Sequence, residues 1–123
     1  MKILPETLGY QDASQLEALL TSHGIGRKKI FIKELPEKLQ IKQIALGYLS
    51  PGEAIEPHVH PDLDEYYYVL EGNGSIHLND AVLPFHKDIF VRVSAGTTHS
   101  LTCEQHLTFF YFGVELLEHP PVL

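Results

Sequence analysis

The chain has 123 residues, enough for one domain of ordinary size and too few for a separate catalytic and regulatory pair. Its composition, 44% hydrophobic and 20% charged, excludes a disordered tail, a collagen-like repeat and a membrane-embedded chain as the main reading. Nine basic against sixteen acidic residues leave a formal charge of −7, a surface that repels phosphate backbones, so no nucleic-acid partner is expected.

Met1-Lys2-Ile3-Leu4-Pro5-Glu6 lacks the continuous apolar run of a signal peptide, and no stretch reaches the roughly eighteen apolar residues of a membrane span. Cys103 is the single cysteine, which excludes an internal disulfide and a thiolate zinc finger. A cytoplasmic protein without a membrane partner is the expectation. Ser14-Gln15-Leu16-Glu17 has the form of a capping box, and Leu16, Leu19 and Leu20 follow at helical spacing before Gly24. This predicts a short N-terminal helix over about 14–23, with Asp12 as a competing cap.

From Lys28 onward short β-like runs alternate with turn residues. Candidate strands are Lys29–Glu34, Ile41–Leu49, Glu65–Glu71, Ser75–Leu78, Ile89–Val93, Leu101–Cys103 and Leu107–Phe112. Turns are expected at Ser50-Pro51-Gly52, Asn79-Asp80 and Ala95-Gly96, and a tight connection at Glu71-Gly72-Asn73-Gly74-Ser75. Many short strands without intervening helices predict an all-β, antiparallel sandwich or barrel over about 28–113, followed by a short tail over 114–123.

The chemistry concentrates between Gly52 and Gly72. His58 and His60 are two apart, and on a strand alternate side chains share a face. Pro61-Asp62-Leu63-Asp64 reads as a turn that lets Glu65 return on the neighbouring strand, and His99 stands after Ala95-Gly96-Thr97-Thr98 as a fourth candidate. Three neutral imidazoles and a carboxylate suit a first-row divalent ion and leave positions open on a six-coordinate metal. By chance, the Gly-His-His-Glu-Gly spacing is expected only about 2 × 10⁻⁴ times in a chain of this composition.

Gly52, five residues, His58-Val59-His60, four residues, Glu65, six residues and Gly72 resemble the first motif of the cupin superfamily at every position. The second motif is partly present. Gly96 and His99 match it, while Ser94, Asp88 and Cys103 stand where the family usually has proline, glycine and asparagine. The resemblance implies a jelly-roll barrel, or double-stranded β-helix, occupying one domain over 1–123. It implies His58, His60, Glu65 and His99 as ligands of one divalent transition metal (Fe, Mn, Ni or Zn), and pairing into a homodimer.

Alternation from Glu65 puts Tyr67 and Val69 inside the barrel and Tyr66 and Tyr68 on the other face; by the same parity His99, Leu101 and Cys103 point inward. Tyr67, Leu101 and Cys103 are therefore the substrate-pocket candidates, although an inward aromatic or a free cysteine also serves as plain core. His23, His77, His86, His106 and His119 have no partner at ligand spacing and read as surface or locally bonded groups. Phe109-Phe110-Tyr111-Phe112 reads as the closing strand. Two functions stay open. One is an enzyme that acts on a small oxygen-containing molecule as a dioxygenase, isomerase or decarboxylase, with no general base assigned. The other is a non-catalytic module that senses or stores a small ligand or metal.

Overall fold

A computed structural model of the protein describes residues 5–20, 22, 24, 25, 27–33 and 38–117. The strands are β1 (Tyr10–Asp12), β2 (Leu19–Leu20), β3 (Arg27–Lys28), β4 (Leu39–Leu49), β5 (Ala54–His58), β6 (Leu63–Leu78), β7 (Ala81–His86), β8 (Ile89–Val93) and β9 (His99–Leu116). All the pairings are antiparallel, and β2 and β3 form a separate small ribbon.

The long strands β6 and β9 make the architecture. Their halves Leu63–Val69 and Leu107–Glu115 lie side by side, flanked by β8 and β1 on one edge and by β4 on the other. The remaining halves, Asn73–Leu78 and His99–Gln105, pair again and are flanked by β7 and β5. One continuous sheet thus folds over itself into two facing layers, the expected jelly-roll barrel. Between the layers lie Tyr67, Val69, Ile76, Leu78, Phe85, Val91, Leu101 and Phe109, all buried, with Cys103 among them. The inward parity expected for Tyr67, Val69, Leu101 and Cys103 holds. A second cluster on the outer face joins Tyr66, Phe90 and Val114 under Phe31, whose ring stacks on Phe90 at 4.3 Å.

The structure corrects several expectations. Among the described residues of 14–23 there is no α-helix. Asp12 caps a single 3-10 turn, Ala13–Gln15, by accepting the Ser14 N–H, and Leu19 and Leu20 continue as the exposed strand β2. Three leucines on so short a segment bury too little area to offset the cost of helix nucleation. Thr21 and His23 lie outside the described residues, as do Glu34 and the tail beyond Leu117. The described part of Lys29–Glu34 is not strand, and the segment before it pairs only as Arg27–Lys28.

The connection expected at Glu71–Ser75 is no turn either. β6 runs straight through it with register shifts between Val69 and Gly74. Gly72, at φ +99, would drive a Cβ into the carbonyl oxygen of His106, and a Cβ on Gly74 would strike that of Thr102. These glycines serve close backbone approach where the sheet bends, the usual use of glycine at a bulge. The same bend joins the separate expected segments Leu101–Cys103 and Leu107–Phe112 into β9. By contrast, Asn79-Asp80 is a two-residue hairpin between Leu78 and Ala81, with Asn79 at φ +53, a region asparagine tolerates. Strands β5 and β7 escaped the sequence reading because Pro57 and Pro84 interrupt them; each pairs on one side only, where proline costs no ladder bond.

Candidate metal centre

His58 is the last residue of β5 and sits directly across the ladder from His99, the first residue of β9. Glu65 rises from β6 in the facing layer, where its ladder partners are Val93 and Gly113. His60 stands in the link between β5 and β6. This corrects the route by which Glu65 was expected to arrive. β5 and β6 are not hydrogen-bonded neighbours, so the carboxylate reaches the histidines across the barrel interior and not along an adjacent strand.

The four side chains meet. One ligand-type atom from each of His58, His60, Glu65 and His99 lies within 4.8 Å of the others, a group that can hold a metal ion. Glu65 Oε1 is 2.9 Å from His99 Nε2 and 3.3 Å from His60 Nε2, and it accepts the Tyr67 hydroxyl at 3.1 Å. The His58 and His99 ring centres are 4.1 Å apart.

Tautomers follow from carbonyl contacts. His58 Nδ1 lies 2.8 Å from the Glu56 carbonyl oxygen and His99 Nδ1 lies 3.0 Å from that of Thr97. A carbonyl only accepts, so both Nδ1 atoms carry hydrogen and both Nε2 lone pairs turn to the centre. Such outer bonds fix the ring orientation and raise the basicity of metal-binding imidazoles. His99 Nε2 then faces a carboxylate oxygen at 2.9 Å, lone pair to lone pair, unless a proton or a cation lies with them. In the metal-free protein a proton on Nε2 would satisfy the contact, with His99 donating and Glu65 accepting. Burial pushes the Glu65 carboxyl up, but hydrogen bonds and charge from His99, with His60 and Tyr67, outweigh it and hold the group below the usual range. Burial likewise pulls His99 down, yet the bonds to Glu65 and Thr97 leave it raised. The Tyr67 hydroxyl is held neutral, pushed up by burial and then by Glu65.

The loop that delivers His99 is anchored by a residue outside the expected site. Asp64, 3% exposed, accepts the Ala95 N–H at 2.7 Å and lies 3.3 Å from Arg92 Nη2, while Gly96 N–H donates to the His60 carbonyl at 2.8 Å. A lone acid on the strand face it shares with Tyr66 and Tyr68 was the available signal. Asp64→Ala is expected to lower unfolding stability by about 2–3 kcal/mol in a denaturant titration, the cost of a lost charged hydrogen bond, with Asp64→Asn recovering part of it. An unchanged midpoint would contradict this role.

Beside the centre opens a cavity of about 310 Å³ whose lining includes His58, Glu65, Tyr67 and Tyr111. The structure brings Tyr67 to this wall. Leu101 and Cys103 are packed in the core instead, with Cys103 Sγ 3.4 Å from the Leu49 carbonyl oxygen, and neither lines the cavity. His77 and His86 are half-buried and His106 exposed, all outside the four-residue group; His119 lies beyond the described residues.

A family model for the Cupin domain matches residues 45–111, more than half of the chain. The chain belongs to the cupin family. Among relatives, this cupin is 25% identical over 92 residues to the tetracenomycin polyketide synthase protein TcmJ of Streptomyces glaucescens, covering 75% of this chain and 54% of that one. It thus spans about half the length of the curated relative it matches. The solved structure of a predicted oxalate decarboxylase from Thermotoga maritima matches with a TM-score of 0.58 and 28% identity, over 63% of this chain and 68% of that one. A salicylate 1,2-dioxygenase from Pseudoaminobacter salicylatoxidans, solved with gentisate, shares the fold at 20% identity and a TM-score of 0.53, over 57% of this cupin and 19% of the larger chain. No helix among the described residues is long and apolar enough to cross a membrane.

Proposed function

We propose that His58, His60, Glu65 and His99 together hold one divalent transition metal ion, Fe, Mn, Ni or Zn, and that this single-domain cupin binds or acts on a small oxygen-containing molecule there. The observation that carries the reading is the convergence of one ligand atom from each of His58, His60, Glu65 and His99 within 4.8 Å, with the His58 and His99 rings oriented by the Glu56 and Thr97 carbonyls. When bound, the ion supplies Lewis acidity and a place for substrate oxygen. The chain supplies the rest: Tyr67 steadies the Glu65 carboxylate, Asp64 holds the loop that positions His99, and the aromatic wall limits water. The dioxygenase and decarboxylase names of the structural relatives support chemistry of this kind. Elemental analysis of protein purified without a chelating tag tests it. About one equivalent of a first-row metal is expected; none, with no thermal stabilisation on adding metal, refutes it.

The reading extends to a cytoplasmic homodimer. On β4, Ile41, Ile44, Leu46 and Tyr48 are 54%, 63%, 50% and 68% exposed and lie on one face beside Phe110 of β9. Ile41 and Phe110 also line an apolar groove of about 680 Å³ that continues the patch over the sheet. Apolar patches above a few hundred Å² mark interfaces, and an exposed edge-strand face meets its own copy around a two-fold axis without needing a second kind of surface. Light scattering at micromolar concentration is expected to give a dimer, and Leu46→Glu a monomer with unchanged metal content; a monomeric wild type removes the proposal.

A further inference from the structure

His58 and Glu65 line the cavity at the ligand group, and the rest of its lining is aromatic and aliphatic apart from Gly47. Tyr67, Phe109 and Tyr111 form one of its walls, with ring centres 5.6 to 5.8 Å apart and Tyr67 stacked on Tyr111. Leu49 and Ile55 add aliphatic surface. Gly47 faces Phe109 with no side chain of its own, and a Cβ there would come within 2.5 Å of the ring. Aromatic walls of this kind favour a flat apolar guest in offset or edge-on contact. At about 310 Å³ the space is at the small end of ligand pockets, near the size for one ring and its substituents.

Charge narrows the guest further. Among the described residues of the lining, Glu65 is the only carboxylate and none is a lysine or arginine. Arg92 is engaged by Asp64 beside the Tyr66 ring on the opposite face of the sheet, and Lys42 by Glu115. A divalent ion held by three neutral imidazoles and one carboxylate keeps a net charge of +1. One negative charge on a ligand neutralises it. A second would be left in an aromatic cavity without a cation, which low dielectric makes costly.

Resting on the metal-centre reading, we infer that the ligand of this cavity is a small chelator with one negative charge and a flat apolar body, such as a phenol or enol carrying a second oxygen beside the first. Dianionic diacids and sugar phosphates are excluded by the same lining. The ligand places its paired oxygens toward the imidazoles and its ring against Tyr67, Phe109 and Tyr111.

The test uses the full chain loaded with zinc, which is redox-silent, so that binding is read without turnover. Zinc content after dialysis is measured first. Isothermal titration then compares acetohydroxamate with benzohydroxamate, which share one chelating head and differ by the ring. Benzohydroxamate is expected to bind at least about tenfold more tightly. A carboxylate added at the fourth ring position is expected to cancel that gain. Equal affinity for the two hydroxamates overturns the flat apolar body, and full retention of affinity by the carboxylated ring overturns the single charge, each with zinc still bound and the metal reading intact. Failure to retain zinc at the outset overturns both readings together.

Discussion

Replacing His99 with alanine is expected to lower affinity for a divalent metal by more than about 100-fold. Loss of an outer hydrogen-bonding partner at a metal site already costs roughly 10–100-fold, and loss of a ligand atom exceeds it. His99 is 2% exposed, its Nδ1 is tied to the Thr97 carbonyl and its Nε2 is the atom nearest Glu65. No other described imidazole can move into its place, because His58 and His60 already offer their own ligand atoms to the same centre and His77, His86 and His106 lie outside the group. Competition against a chelating dye measures the loss. His77→Ala, on β6 between Val82 and Ser100, is expected to leave affinity unchanged. Equal losses in the two variants would show that the group is not the centre. The metal-free His99→Ala protein should also be less stable by about 1–2 kcal/mol, since Glu65 keeps its burial and loses its shortest partner.

The second large effect is on stability as a function of metal and pH. At a thousandfold excess of free metal over its dissociation constant the folded state gains about 4 kcal/mol, which for a chain of this length raises the melting temperature on the order of 10–20 °C. A chelator should abolish the gain. In the metal-free protein the two shifted groups set a window. His99 has a raised folded pKa, so its contribution is complete below the ordinary histidine value and is lost as pH rises through the folded one. Glu65 has a lowered folded pKa, so its contribution is present above the ordinary carboxyl value and is lost as pH falls through the folded one. Metal-free protein is therefore expected to be most stable at mildly acid pH. Metal requires neutral imidazoles and displaces the His99 proton, so the loaded protein should lose its advantage on acidification and gain it toward neutrality and above. Thermal scans across pH with and without zinc check this; parallel curves would contradict it.

How much of the molecule could be read in advance depended on whether the signal was local. Alternation along Glu65–Val69 placed Tyr67 inward and Tyr66 outward because a strand carries a period of two in its own covalent geometry. Ile89–Val93 was bounded by its own apolar run, and Asn79-Asp80 by its own turn chemistry. Where neighbours decide, the reading failed. The segment from Ser14 carries a capping signal, yet its described residues form only the end of a 3-10 turn and the exposed strand β2, because so short an apolar stripe does not offset helix nucleation. Gly72 and Gly74 looked like a turn because φ freedom is visible in a glycine, whereas the carbonyls of His106 and Thr102 that crowd them are not.

The same division holds at the centre. Spacing and residue type singled out the four ligand candidates, three of them between His58 and Glu65 and the fourth at His99 after its own turn, since imidazole and carboxylate can share a cation. Only the tertiary structure decided that His58 and His99 face each other across one ladder, that Glu65 reaches them from the opposite layer, and that Asp64 pins the loop between. It also separated Tyr67, on the cavity wall, from Leu101 and Cys103, in the core. Inward parity is a property of one strand, while lining a cavity depends on what the facing layer leaves unfilled, and no single strand carries that information.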